Sequence, residues 1–205
     1  MTSHQLVGRL LKPLVFVAAL TPFLWLAWRA VMGNLGANPI EAVTLVTGRW
    51  TLRLLLITLT VSPLRRLTGW QPVVRFRRML GLFAFFYGSL HFTIYVAIDQ
   101  FFGWSFILAD IAKRPYITVG FAGFVSMMPL ALTSTTGWIR RLGGRRWQRL
   151  HRLVYLSALF GVIHFLWKVK ADTRDPLLYG AVLAGLLGFR AWRAVQSRML
   201  APSAG

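Results

Sequence analysis

The chain has 205 residues, of which 56% are hydrophobic, a formal net charge of +19 and no cysteine, and its mean hydropathy is +0.57. A chain without cysteine has no disulfide, no thiolate-bound metal and no iron–sulfur cluster, so any redox group must be held by histidine or without covalent metal ligation. The charge does not make it a nucleic-acid binder, because the arginines flank apolar runs instead of striping a polar domain.

A membrane-spanning helix needs about 20 mostly apolar residues, and by that measure six candidates follow in order, roughly 10–31, 42–63, 76–98, 116–135, 150–170 and 177–194. The first begins in MTSHQLVGRLLKP, which has no small-residue cleavage site after its apolar run and is read as an uncleaved helix. His4 in this segment reads as a solvated terminal residue. The second carries Arg49 and Arg53 near one end, where they must snorkel to the interface. Pro22, Pro63 and Pro129 are expected to kink or end their helices. Between the third and fourth spans, FFGWSFILADIAKR is amphipathic and is expected to lie along the interface as a short helix. The sixth is the shortest, with LLYGAVLAGLLGF before Arg190.

The cations set the orientation. With the N-terminus inside, the inner side collects 16 of the 24 basic residues, and all five acids (Glu41, Asp99, Asp110, Asp172 and Asp175) fall outside. The positive-inside rule then places both termini in the cytoplasm. No internal repeat or soluble insert is visible, so residues 1–205 are read as a single all-α, six-helix transmembrane bundle.

Three histidines lie in apolar surroundings: His91 in GSLHFTIYVAI, His151 in RRWQRLHRLVYL and His164 in FGVIHFLWKVK. A polar ring in hydrocarbon needs a partner, and intramembrane ionisable groups mark functional sites by default. The third helix rises outward from Arg77 and Arg78, which puts His91 about 20 Å up, and the fifth rises from Arg149 and Arg152, which puts His164 at a similar depth. Two facing imidazoles at one depth can ligate a haem iron axially, a geometry suited to electron transfer. His151 sits at the inner edge, either as a further ligand or as an interfacial histidine near lipid phosphates. Its counterpart in depth is Arg77, which shares a face with His91 and is a poor iron ligand. Arg77, with Arg78, can instead grip a haem propionate or a flavin phosphate. From His151 to His164 the helix turns so as to leave the two about 140° apart, which requires either a local distortion or two laterally displaced sites. Phe83, Phe86, Phe165 and Trp167 either line such a pocket or face lipid.

The strings RRMLGLFAFFYGSLHFTIYVAID, KRPYITVGFAG and LGGRRWQRLHRLVYLSALFGVIHFLWKVK resemble the MsrQ (formerly YedZ) family, within the ferric reductase-like transmembrane superfamily that also holds NADPH oxidases. In that superfamily the third and fifth helices each supply two histidines to two stacked haems. The resemblance maps the outer pair onto His91 and His164 and one inner ligand onto His151. The other inner position falls on Arg77, a departure that leaves the number of b-type haems at one or two. The resemblance further implies a bacterial inner-membrane electron-transfer subunit that does no bond chemistry on the final substrate. Its partner would be MsrP, a periplasmic molybdopterin enzyme that repairs methionine sulfoxide in envelope proteins. Its donor would be the quinone pool or a cytosolic flavin reductase, with FMN as a further candidate cofactor. A transporter or proton channel is the rival from another class, although such proteins keep carboxylates at mid-membrane and none is placed there here.

Overall fold

The computed structural model describes residues 6–199, and these are helical with short connections. His4 lies outside the described residues, as does the side chain of Arg198. Helix α1 is Val7–Val31, α2 Pro39–Thr68 and α3 Gln71–Asp99. The short α4 is Trp104–Lys113, α5 is Pro115–Leu132, α6 Thr136–Leu150, α7 Leu153–Lys168 and α8 Arg174–Met199.

Helix boundaries follow local chemistry. The side chain of Asn38 accepts from the Glu41 amide at 3.2 Å to cap α2, Pro39 opens its first turn, and Gly69 closes it with a left-handed φ of 69°. None of the three prolines ends its helix: Pro22, Pro63 and Pro129 all lie inside. At Pro22 the cause is visible. The buried Tyr87 hydroxyl donates to the Ala19 carbonyl at 2.9 Å and accepts from the Phe23 amide at 3.0 Å, filling the rung next to the proline. Tyr87→Phe is therefore expected to cost about 1–2 kcal/mol, read as a lowered thermal midpoint in detergent with the spectrum of any bound cofactor unchanged.

Helix α2 occupies the centre. Leu52, Leu56 and Leu59, spaced as one helical stripe, pack with Ala158, Val162 and Leu183 from α7 and α8. Leu54, Leu55 and Val61 turn the other way, toward Ala19 of α1 and Leu80, Ala84 and Tyr87 of α3. Arginines tie α8 to α2: Arg53 Nε donates to the Tyr179 hydroxyl at 2.8 Å, and Arg190 donates to the Leu59 carbonyl. Helices α5 and α7 approach closely through small residues, with Ser126 and Ser157 hydroxyls 2.6 Å apart. A Cβ on Gly123 would sit 3.2 Å from Phe160.

Among the described residues, four helices are individually long and apolar enough to cross a membrane, namely α1, α2, α3 and α5. A fifth crossing arises if α6 and α7, bent by 40° at their junction, count together. Helix α7 alone has 16 residues, and α8 interrupts its apolar stretch with Arg190 and Arg193. The chain is thus a multi-pass membrane protein by composition, and the expected sixth span is the one with the shortest apolar run. The amphipathic α4 forms where expected, entered through a tight turn that holds Phe101 and Phe102 at φ 45° and 58°. Helix α6 falls between the fourth and fifth expected spans, where no helix was assigned: the basic stretch TGWIRRLGGRRWQRL is helical with a break at Gly143 and buries none of its residues.

Candidate functional site

A cavity of about 440 Å³ opens between α2, α3, α5 and α7, and His91 and His164 both line it. Their ring centroids are 6.1 Å apart and their planes cross at 79°. The structure therefore brings together the two histidines whose depths match along separate helices.

Each ring is held the same way. The Thr44 carbonyl lies 3.0 Å from Nδ1 of His91, and the Tyr116 carbonyl 2.7 Å from Nδ1 of His164. A carbonyl can only accept, so the proton sits on Nδ1 and Nε2 keeps its lone pair for a metal. Four residues after each carbonyl stands a glycine against the ring. A Cβ on Gly48 would come 3.1 Å from His91, and one on Gly120 would come 2.5 Å from Nδ1 of His164. The segments TLVTG (44–48) and YITVG (116–120) thus perform one task twice, offering an acceptor at the first position and space at the fifth. Sequence reasoning passed over both. The available signal was a glycine inside an apolar span, which admits close approach of another group.

Among the described residues no group of three or more His, Asp or Glu side chains is placed to hold a metal ion. A lone pair of opposed imidazoles suits a metal that brings its remaining ligands with it, as a porphyrin does. The walls agree with a flat apolar guest: Phe92, Phe121, Phe124 and Phe165 line the cavity, with Gly88 and Gly161 between them. Three cations, Arg49, Arg114 and Lys168, and one acid, Asp99, complete the lining.

The other anticipated residues lie elsewhere. Phe83 and Phe86 pack edge-on against Phe16 and Phe23 of α1, at 5.1 and 5.4 Å between centroids. Trp167 is largely exposed. Of the four aromatics for which pocket and lipid were equal alternatives, Phe165 lines the cavity. His151 falls at the junction of α6 and α7, where the chain bends by 40°. Its Nε2 lies 3.1 Å from the Thr133 hydroxyl, and its ring stacks on Trp147 at 3.8 Å. Arg77 and Arg78 are exposed at the start of α3 and are not part of the cavity wall. Arg77 is nonetheless within electrostatic reach of His151.

Residues 47–162 match the ferric reductase like transmembrane component family, a span that takes in Gly48, His91, Gly120 and His151. Over 191 residues the chain is 51% identical to the protein-methionine-sulfoxide reductase heme-binding subunit MsrQ of Herminiimonas arsenicoxydans, covering 92% of this chain and 88% of that protein. The MsrQ of Rhodospirillum rubrum is 53% identical over 190 residues, covering 93% of this chain and 91% of that one. That of Caulobacter vibrioides is 50% identical over 188 residues, with 92% and 90% covered. The chain belongs to the MsrQ family. Five members of the cavity wall lie outside the segment matched to the wider ferric reductase group, Thr44 and Leu45 before it and His164, Phe165 and Lys168 after it. Coverage of about nine-tenths of the MsrQ relatives at similar identity brings the whole cavity within the family comparison.

Proposed function

We propose that this MsrQ-family chain holds haem b between His91 and His164 and relays electrons across the inner membrane to the periplasmic reductase subunit MsrP. The observation that carries the reading is the separation of the two rings. Two metal–nitrogen bonds of about 2 Å, in line with ring radii of about 1.2 Å, put opposed imidazole centroids about 6.4 Å apart. The rings of His91 and His164 are 6.1 Å apart, each already oriented by its Nδ1 contact. When bound between these two residues, haem would supply one-electron oxidation and reduction. The chain's own residues do the rest: Thr44 and Tyr116 aim the imidazoles, Gly48 and Gly120 admit them, and the phenylalanines exclude water.

The cation bias supports six crossings with both termini in the cytoplasm and residues 1–205 acting as one haem-binding domain. Under that topology His91 and His164 lie toward the periplasm. MsrP would dock on the outer segments around 33–41, 99–115 and 171–176, the second of which contains α4. The donor, the quinone pool or a cytosolic flavin reductase, would meet the opposite face. There His151 is the candidate ligand for a second haem, and Arg77 and Arg78 are the candidate grips for a propionate or an FMN phosphate.

The test is haem counted per polypeptide in purified wild-type protein and in each histidine variant. His151→Ala is expected to retain the haem between His91 and His164, with its Soret and α-band positions unchanged. Loss of all haem from His151→Ala would contradict the assignment of the outer pair, and so would a colourless wild-type protein.

A further inference from the structure

Arg49 is the one polar side chain that the fold leaves unfinished among the described residues. It lines the cavity directly after Gly48, and its Nε is buried with no hydrogen-bond partner. Its Nη2 reaches outward to Asp175 at 3.7 Å, too long for a hydrogen bond. The contrast with Arg53, one turn along α2, is instructive: that Nε is satisfied by Tyr179 at 2.8 Å. An unpaired guanidinium N–H out of contact with water is costly, and more so in a membrane, so a partner is required. Arg114 and Lys168 stand on the same wall from α5's start and α7's end. Arg114 is shared with Asp110 at 3.3 Å, and Lys168 lies over the Tyr116 ring at 5.9 Å. Three cations and the single Asp99 line the cavity itself, while Asp110 and Asp175 meet Arg114 and Arg49 from outside the lining.

We infer that Arg49 anchors a carboxylate of the bound porphyrin through its Nε edge, with Arg114 and Lys168 completing an anionic subsite on the outer rim. This rests on the haem reading above and adds the orientation of the guest: the propionate edge faces the periplasmic end, beside Asp175 and Lys168. Planar guanidinium–carboxylate pairing is among the stronger polar contacts, and it fixes geometry as well as adding energy.

The experiment removes the carboxylates chemically. The full chain, made in haem-deficient cells and purified in detergent, is loaded with iron protoporphyrin IX or with its dimethyl ester, and transfer of each to excess apomyoglobin is timed. Wild type is expected to lose the diester about tenfold faster than the free acid, the size of one charge-assisted hydrogen bond. R49Q should lose both at rates converging toward one another, and D175N, which removes only the outer contact, should discriminate as wild type does. An R49Q protein that keeps the full discrimination overturns the inference, and so does D175N behaving as R49Q does, since Arg49 would then act only by pinning α2 to α8. If R49Q does not accumulate, equal loss rates of the two porphyrins from wild type overturn it alone. Failure of wild type to bind either porphyrin is a different result, one that strikes the haem reading itself.

Discussion

Alanine at His91 or His164 is expected to remove the haem between them, with retained haem per polypeptide falling at least about tenfold, equivalent to about 1.4 kcal/mol or more of binding. The reason is that neither ring has a deputy. The remaining cavity wall is mostly phenylalanine, glycine and aliphatic side chains, and its other possible donors, Met127, Tyr95 and Tyr116, are not imidazoles held opposite a second imidazole. Nor can His151 substitute, because it stands at the α6–α7 junction and is not part of this cavity's wall. Any haem that lingers in either variant should be five-coordinate, with a broadened, high-spin spectrum. Absorption spectroscopy with pyridine haemochrome quantification of the purified variants reads both effects. The two variants should behave alike, since each ring is supported by the same pairing of a carbonyl and a glycine.

Gly120→Ala is expected to be nearly as damaging, though it touches no metal ligand directly. A methyl group there would lie 2.5 Å from the same His164 nitrogen that faces the Tyr116 carbonyl, so the ring cannot keep its place. Either the ring swings away and forfeits its carbonyl, or α5 and α7 separate against the packing of Ser126 on Ser157 and of Gly123 on Phe160. Overpacking of this kind costs about 1–3 kcal/mol, which corresponds to a drop of about 5- to 150-fold in retained low-spin haem. Gly48→Ala should follow the same direction more weakly, because its methyl would meet His91 at 3.1 Å, a contact that small shifts relieve. Gly185→Ala has nothing within 4 Å and is the control, expected to match wild type. Haem retention ranked Gly185→Ala above Gly48→Ala above Gly120→Ala, at comparable protein yield, is the predicted series.

The depth of the two central histidines was legible because helix rise is constant and the arginine clusters mark where each helix enters. Their orientation was less so. On α3 the cavity face is Gly88, His91, Phe92 and Tyr95, a stripe at helical spacing, while Phe83 and Phe86 turn onto α1. Composition alone marks all these aromatics as apolar and cannot say which neighbour they meet. The bend at His151 was visible only as an angular misfit, since no proline signals it and the break comes where a basic surface helix joins an apolar one. Helix α6 escaped notice for a related reason: its run of arginines reads as a topology signal, yet arginine is also a good helix former. The glycines at 48 and 120 and the unpaired Nε of Arg49 depend on contacts between helices, which no single-chain periodicity reports.

The central claim is that His91 and His164 close on one haem iron. Electron paramagnetic resonance of the oxidised, purified protein tests it most directly. Each imidazole's π orbital stands perpendicular to its ring plane, so rings crossed at 79° act on different iron orbitals and leave the two almost equal in energy. Near-equal orbitals retain a large orbital moment. A single strongly anisotropic low-spin ferric signal, lost in His91→Ala and His164→Ala and kept in His151→Ala, is the result predicted. A high-spin signal in wild type, or a low-spin signal that survives loss of either His91 or His164, would contradict the account.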